Sequence, residues 1–435
     1  MTLQPLSCRV RAVRAPNRAA APVTSAVLLL DMYSPLQHNS AMPRDILPEP
    51  PDELKQLSTT LSDRIRREIS REGMIPFSRY MEMALYEPGL GYYSAGLHKF
   101  GDAGDFTTAP ELGSLFAACL SRQVAELAGY LGGYDVLEVG AGSGRLAAGL
   151  LTSLDSGRLP RRYRILERSA DLRKVQEELI SSAAPELLHR VEWLDRPPED
   201  DWSGVLIANE VIDALAVERF ELASGGLQQL CVKTGESGFD WTTRPAPPAL
   251  QAAVKKLGAD QAPGFMTDLT DGYRSEICLQ LAPWLEALTA RMARGLALFI
   301  DYGYPRSEFY SPERVDGTQM CHYRHRAHDD VFFWPGLQDI TAWVDFTALA
   351  EASLDCGFEL EGYNTQAMFL LGCGLEEAMA ELLARQPDAA PELGAEARQL
   401  TMPGMMGERF QVMGLGRGIG QPLRGFSLQD LRHRL

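Results

Sequence analysis

The stretch IANEVIDAL (207–215) sets two carboxylates, Glu210 and Asp213, three residues apart, beside Asn209 and just beyond the apolar run Val205-Leu206-Ile207. Like charges held this close raise each other's proton affinity unless a cation lies between them. The chemistry on offer is the gripping of a positively charged group. The plain alternative is a helix N-terminus decorated with acids, which the helix dipole favours. A second constellation is VLEVGAGSGRL (136–146), an apolar run that reaches Glu138 and then gives Gly140, Gly142 and Gly144 at every second position. A third is Glu167, a carboxylate at the end of YRILERS, 23 residues after Gly144.

The glycine spacing decides what such a turn could hold. A dinucleotide fingerprint reads G-x-G-x-x-G and brings a pyrophosphate to a helix N-terminus. Here the run is G-x-G-x-G, and the acid at Glu138 would repel a phosphate. It would suit a ligand that carries an ammonium and a sulfonium, such as S-adenosylmethionine. Glu167 then falls where nucleotide-binding α/β sheets place the acid that accepts both ribose hydroxyls. Glu192 and Asp195, near the third strand's end, are candidates beside the adenine. A plain tight turn and exposed strand-end charges remain the bland readings of these residues.

The elements that must position these groups follow from periodicity. Apolar runs rich in Val, Ile, Leu or Tyr at 134–140, 163–167, 189–195, 204–210 and 295–302 read as strands, with helical patterns between the first three. That alternation predicts a doubly wound α/β sheet, whose ligands bind outside the carboxyl ends of the strands. About 85 residues separate the fourth and fifth strands, far more than a usual crossover. They are read as an inserted arm at about 211–294, with a hairpin in 217–233 turning at Gly225-Gly226, and then helices. GFELEGYNTQ (357–366) and ERFQVMGLGRG (408–418) read as two closing antiparallel strands. Upstream, residues 59–130 read as a helical cap with a glycine-rich loop, in which Thr108 and Glu111 have capping-box spacing. The methyl-donor core would run from 131 to 435, and 1–58 stays outside the fold argument as an extension that is disordered or never translated.

Composition narrows the class. A hydrophobic content of 45% with 23% charged residues is that of a globular protein. A net charge of −16 argues against sequence-independent nucleic-acid binding, which needs a basic footprint. Seven scattered cysteines with no C-x-x-C read as reduced thiols. No apolar stretch approaches the ~18 residues of a membrane span, so no membrane insertion is expected. The cluster Cys321, His322, His325 and His328 lacks the second ligand pair that structural zinc usually needs, and no metal is expected.

The blocks SRYMEMALYEPGLGYYS, GDAGDFTTAPELG, VLEVGAGSGRLA, YRILERS, ANEVIDALAV, LFIDYGY, YRHR, DITAWVDFTALA and LRGFSLQDLRHRL resemble, in order, those of the MidA family. This is a family of S-adenosylmethionine-dependent methyltransferases that includes a mitochondrial complex I assembly-factor protein arginine methyltransferase. The resemblance spans about 75–435. It implies a seven-strand Rossmann-like sheet, with Gly140, Gly142 and Gly144 lining the cofactor's methionine and ribose and Glu167 on the ribose hydroxyls. Asp105, Phe106, Thr107 and Thr108 would belong to a cofactor lid, and Asn209, Glu210 and Asp213 would stand beside the transferring methyl, Glu210 and Asp213 as a clamp on an arginine. Asp301, Tyr302, Tyr304 and His325 are candidate substrate contacts, although GTQMCHYRHR (317–326) departs from the family's wording. A protein substrate is implied, with room for a homodimer. A small-molecule N- or O-methyltransferase and a non-catalytic assembly factor are the alternatives. The wording ALYEPGLGYYSAG and HKFG resembles bacterial members. It implies a cytoplasmic protein, with the mitochondrial matrix the alternative if the basic N-terminus is a transit peptide.

Overall fold

A computed structural model describes residues 47–95, 108–259, 269 and 271–435. Its centre is one mixed sheet. We number the seven strands along it β1 (Asp135–Val139), β2 (Tyr163–Leu166), β3 (Val191–Leu194), β4 (Trp202–Asn209), β5 (Met292–Tyr304), β6 (Glu359–Thr365) and β7 (Phe410–Arg417). Their order across the sheet is β6-β7-β5-β4-β1-β2-β3, and the short strand Val344–Asp345 pairs with the end of β5. Neighbours from β5 to β3 run parallel; β7 is antiparallel to both β5 and β6.

Period-two alternation explains why the sheet is covered on both faces. Leu296, Leu298 and Ile300 of β5, with Val205 and Ile207 of β4, enter one apolar cluster together with helices Leu115–Leu131 and Arg145–Ser153. Ala297 and Phe299, with Leu206 and Ala208, enter the other, against helices Leu281–Thr289 and Phe346–Asp355. The strand order changes direction between β1 and β4, so the loops after these two strands open onto one crevice, the switch point where such sheets bind ligands.

The sequence reading holds the N-terminal cap and the arm apart; strand pairing joins them. Ile75–Pro76 adds to the arm strand Gly226–Thr234, which also pairs with Glu218–Ala223 and Phe239–Pro245. With Arg274–Ile277 these make a five-stranded sheet. Leu61, Ile65, Phe77 and Tyr80 of the cap pack with Val232 and Phe239 of the arm in one cluster. The first described helix, Asp52–Glu72, starts inside the stretch that the sequence reading left outside the fold. A third, small sheet, Met320–Tyr323, Arg326–His328 and Asp339–Thr341, carries the histidine-rich segment. No described helix is long and apolar enough to cross a membrane.

Candidate active site

The turn after β1 is built on backbone conformations that L side chains avoid. Gly140, Gly142 and Gly144 have φ of 65°, 56° and 88°, in the left-handed region where glycine carries no Cβ penalty. A Cβ on Gly144 would stand 3.1 Å from the Cα of Gln176. Bare backbone is therefore required here, and the turn leads directly into helix Arg145–Ser153. Glu138, one residue before the strand's end, is buried and accepts a 2.6 Å hydrogen bond from the Tyr163 hydroxyl. Burial raises its carboxyl to about 7 against that hydrogen bond.

At the end of β2, Glu167 Oε1 accepts from the N–H of Ser169 at 2.8 Å. Its neighbour in space is Gln176, a residue the sequence reading missed. Gln176 is fully buried and its amide nitrogen donates to Gly142 O at 2.9 Å and to Glu167 Oε2 at 3.4 Å, while its oxygen accepts from Trp193 Nε1 at 2.9 Å. One side chain thus ties the glycine turn to the candidate ribose acid and to β3. The close approach of Gly144 to residue 176 was the only available signal, and it is not visible in a linear sequence. Replacing Gln176 by Leu is expected to leave the Trp193 N–H and Gly142 carbonyl unpaired, costing about 2–4 kcal/mol. Thermal unfolding checks the loss, and calorimetry with S-adenosylhomocysteine should show weakened binding. Of the two proposed adenine acids, Asp195 pairs with Arg173 at 2.6 Å and Glu192 with Arg164 at 3.4 Å.

The short helix Ala109–Leu112 bridges the two halves of the crevice. Thr108 is its N-cap residue but makes no side-chain capping bond, so the predicted capping box does not form. Glu111 turns instead to the glycine turn, where it pairs with Arg145 Nε at 2.9 Å and accepts from the Ser143 hydroxyl. At the other end, the N–H of Ala109 approaches Glu210 Oε1 at 3.4 Å. Asp105, Phe106 and Thr107 lie outside the described residues.

After β4 the acids come together as the spacing implied. Asn209 Nδ2 donates to Glu210 Oε1 at 3.0 Å. Glu210 has φ of 53°, a left-handed conformation that costs a non-glycine residue about 1–2 kcal/mol. Asp213 accepts a 2.6 Å hydrogen bond from the Tyr302 hydroxyl on its Oδ2. Its Oδ1 and the Oδ1 of Asn209 are buried and have no hydrogen-bond partner among the described residues. Burial, then the charge of Asp213, raises Glu210 to about 8; burial raises Asp213 to about 6. Two further side chains border this cluster. Tyr86, whose hydroxyl donates to Ala214 O at 2.8 Å, stacks on Tyr93 at 5.6 Å between ring centroids, and Tyr93 donates to Asp339 at 3.0 Å.

The remaining candidates separate. Tyr302 joins the acids. Asp301 does not face the crevice: it is 1% exposed, and both oxygens accept backbone N–H groups. Tyr304 packs on Trp343 with the Arg314 guanidinium over its face, in the apolar cluster of the arm. His325 occupies a hairpin tip with φ of 60°. Across that hairpin Cys321 is opposite His328 and His322 opposite Ala327, so alternation sends the cluster to both faces. No metal-holding group of three side chains forms among the described residues.

A parallel sheet with this order, a glycine turn after β1, an acid after β2 and a polar cluster after β4 define the nucleotide-type crevice of a Rossmann-like methyltransferase. The chain matches the family described as S-adenosyl-L-methionine-dependent methyltransferase over residues 119–364, and it belongs to that family. A crystal structure from Burkholderia thailandensis, of a COG1565 superfamily member bound to S-adenosyl-homocysteine, is 42% identical. It aligns over 89% of this chain and 100% of its own, with a TM-score of 0.84. A second, native crystal structure of a COG1565 superfamily protein from that organism is 40% identical over 89% of this chain and 100% of its own, with a TM-score of 0.81. Among curated proteins, the mitochondrial protein arginine methyltransferase NDUFAF7 of Danio rerio is 27% identical over 82% of this chain and 86% of its own. The human protein of that name is 25% identical over 82% and 83%. The chain is a MidA-type S-adenosyl-L-methionine-dependent methyltransferase, and S-adenosyl-L-methionine is its methyl donor.

Proposed function

We propose that the methyl acceptor is an arginine side chain of a protein substrate. The observation that carries this reading is the excess of acceptors after β4. Among the described residues, no donor completes a hydrogen bond to the buried Asp213 Oδ1 or Asn209 Oδ1 beside Glu210, although the backbone N–H groups of Asp213 and Ala214 come close enough to lower the proton affinity of the Asp213 carboxyl. Buried acceptors are costly until a donor reaches them, and a guanidinium brings five N–H donors in one plane. The name of the relatives, protein arginine methyltransferase, supports the same class.

The residues present fit the donor. The bare turn at Gly140, Gly142 and Gly144 would hold its methionine and ribose portion, and Glu167 its ribose hydroxyls. When bound, the donor supplies a methyl carbon already activated by a sulfonium. The protein's tasks are then alignment and exclusion of water. Glu210 and Asp213 grip the planar fork by charge-assisted hydrogen bonds and point one nitrogen at that carbon. A guanidinium remains protonated in water, so the acceptor nitrogen must shed a proton as its new N–C bond forms. Glu210, with its raised proton affinity, receives it. Tyr302 keeps Asp213 turned inward, and the stacked Tyr86 and Tyr93 wall the acceptor side.

Incubation of the full chain with methyl-labelled S-adenosylmethionine and cell extract tests the proposal. Mass spectrometry should place the label on peptide arginine. Label confined to small molecules, or to other side chains, would overturn it.

A further inference from the structure

Asp301, at the carboxyl end of β5, faces three consecutive backbone N–H groups of the turn that carries the acids. Its Oδ2 accepts from Val211 at 3.2 Å, Ile212 at 2.9 Å and Asp213 at 3.3 Å, and its Oδ1 from Tyr302 at 2.9 Å. Successive N–H groups converging on one oxygen form a nest, a conformation that an anion stabilises. The residue just before this nest is Glu210, left-handed although it is not glycine, with its own N–H donated to Ile300 O at 2.8 Å. With both oxygens turned to backbone and only 1% of the residue exposed, this carboxyl is closed to a substrate.

We propose that Asp301 is a positioning residue, whose carboxylate fastens the backbone of 211–213 and so holds Glu210 in its left-handed conformation beside Asn209. The catalytic sense of this role rests on the reading of Glu210 as the group that grips the acceptor. Strand β5 thereby aligns two groups with adjacent residues: Asp301 holds the turn and Tyr302 holds the Asp213 carboxylate. The arrangement also sets charge. Glu210 is faced by Asp213 on its own turn, Asp301 from β5, Asp339 from the small sheet, and the Asn209 amide and Ala109 N–H as donors. Asp301 is itself held well above the ordinary carboxyl range by burial and by the charges of Asp213 and Glu210, so Asp301→Asn acts on Glu210 through geometry: once the turn is released, Glu210 leaves the burial that raises its proton affinity and holds its proton less tightly.

The test uses the full chain and infrared pH titration of buried carboxyls, with the Glu210 band assigned by its loss in Glu210→Gln. Wild type should titrate near 8. Asp301→Asn should move that midpoint down by about one unit, and methyl transfer to peptide arginine should fall about 30-fold through kcat, with little change in KM for the donor. A structural role alone predicts slower turnover with an unmoved midpoint, and that result overturns the proposal. Hydrogen exchange on wild type gives a reading that needs no variant to fold: the amides of 211–213 should exchange slowly, and rapid exchange there overturns it too. A moved midpoint in a protein that labels no arginine supports the placement of Glu210 by Asp301 and rejects the arginine reading instead.

Discussion

Glu210→Gln is expected to lower methyl transfer by about 10²–10³-fold while S-adenosylhomocysteine still binds. The substitution keeps the shape and one oxygen, so the Asn209 and Ala109 contacts can persist. It removes the charge that grips a cation and the group that takes its proton. Calorimetry and single-turnover transfer, measured on the same preparation, separate the two effects. If both donor affinity and transfer rate stay at wild-type values, Glu210 does neither job.

The pH profile of the wild type follows from the same residue. The clamp needs Glu210 and Asp213 ionised, yet in the free protein they hold protons up to about 8 and about 6. Transfer at limiting acceptor should therefore rise as pH increases and level off above about 8. The effect on stability has the opposite sign. A carboxyl whose folded pKa lies above its unfolded value binds its proton more tightly when folded. These groups therefore favour the fold at low pH, and that contribution is lost as pH rises from the unfolded value through about 6 for Asp213 and about 8 for Glu210. Activity and stability should thus diverge across this window, with turnover rising while the melting temperature falls. A cation bound between the acids offsets the loss.

What the sequence disclosed was what depends on neighbours along the chain. The strand-end acids were legible because an apolar run followed by Asn209-Glu210 marks the carboxyl edge of a buried strand. The glycine turn was legible from its setting: three alternate glycines alone fit any tight turn, but Glu138 before them and Glu167 after the next strand pointed to a ligand. Contacts across the fold were not legible. Glu111 looked like the partner of Thr108, three residues away, but its partners are Ser143 in the glycine turn and Arg145 at the start of the helix that follows it. Gln176 went unread because its partners Gly142, Glu167 and Trp193 meet it only across the fold. Asp301 looked like a crevice group because it ends a strand, and only the neighbouring turn shows that its oxygens face backbone. Ile75–Pro76 is too short to read as a strand at all; it is one only because Val232 and Cys231 lie opposite.

Gly144→Val should abolish measurable donor binding and destabilise the fold, because two costs fall on one residue. The φ of 88° is a conformation that a β-branched residue pays about 1–2 kcal/mol to adopt. The added Cβ would lie 3.1 Å from the Gln176 Cα and 3.2 Å from its Cγ; overpacking of this kind adds about 1–3 kcal/mol. Relief requires helix Ala170–Ala183 to move away from the turn. That breaks the Gln176 bonds to Gly142 and Glu167 that tie the candidate methionine and ribose contacts together. Thermal unfolding should show the loss of stability and calorimetry the loss of S-adenosylhomocysteine binding. Gly157→Val is the control, since its Cβ would meet nothing within 4 Å and its φ is not in the left-handed region. Should Gly144→Val bind the donor as tightly as wild type, the crevice is not held by this turn, and the assignment of Gly140, Gly142 and Gly144 to the cofactor fails with it.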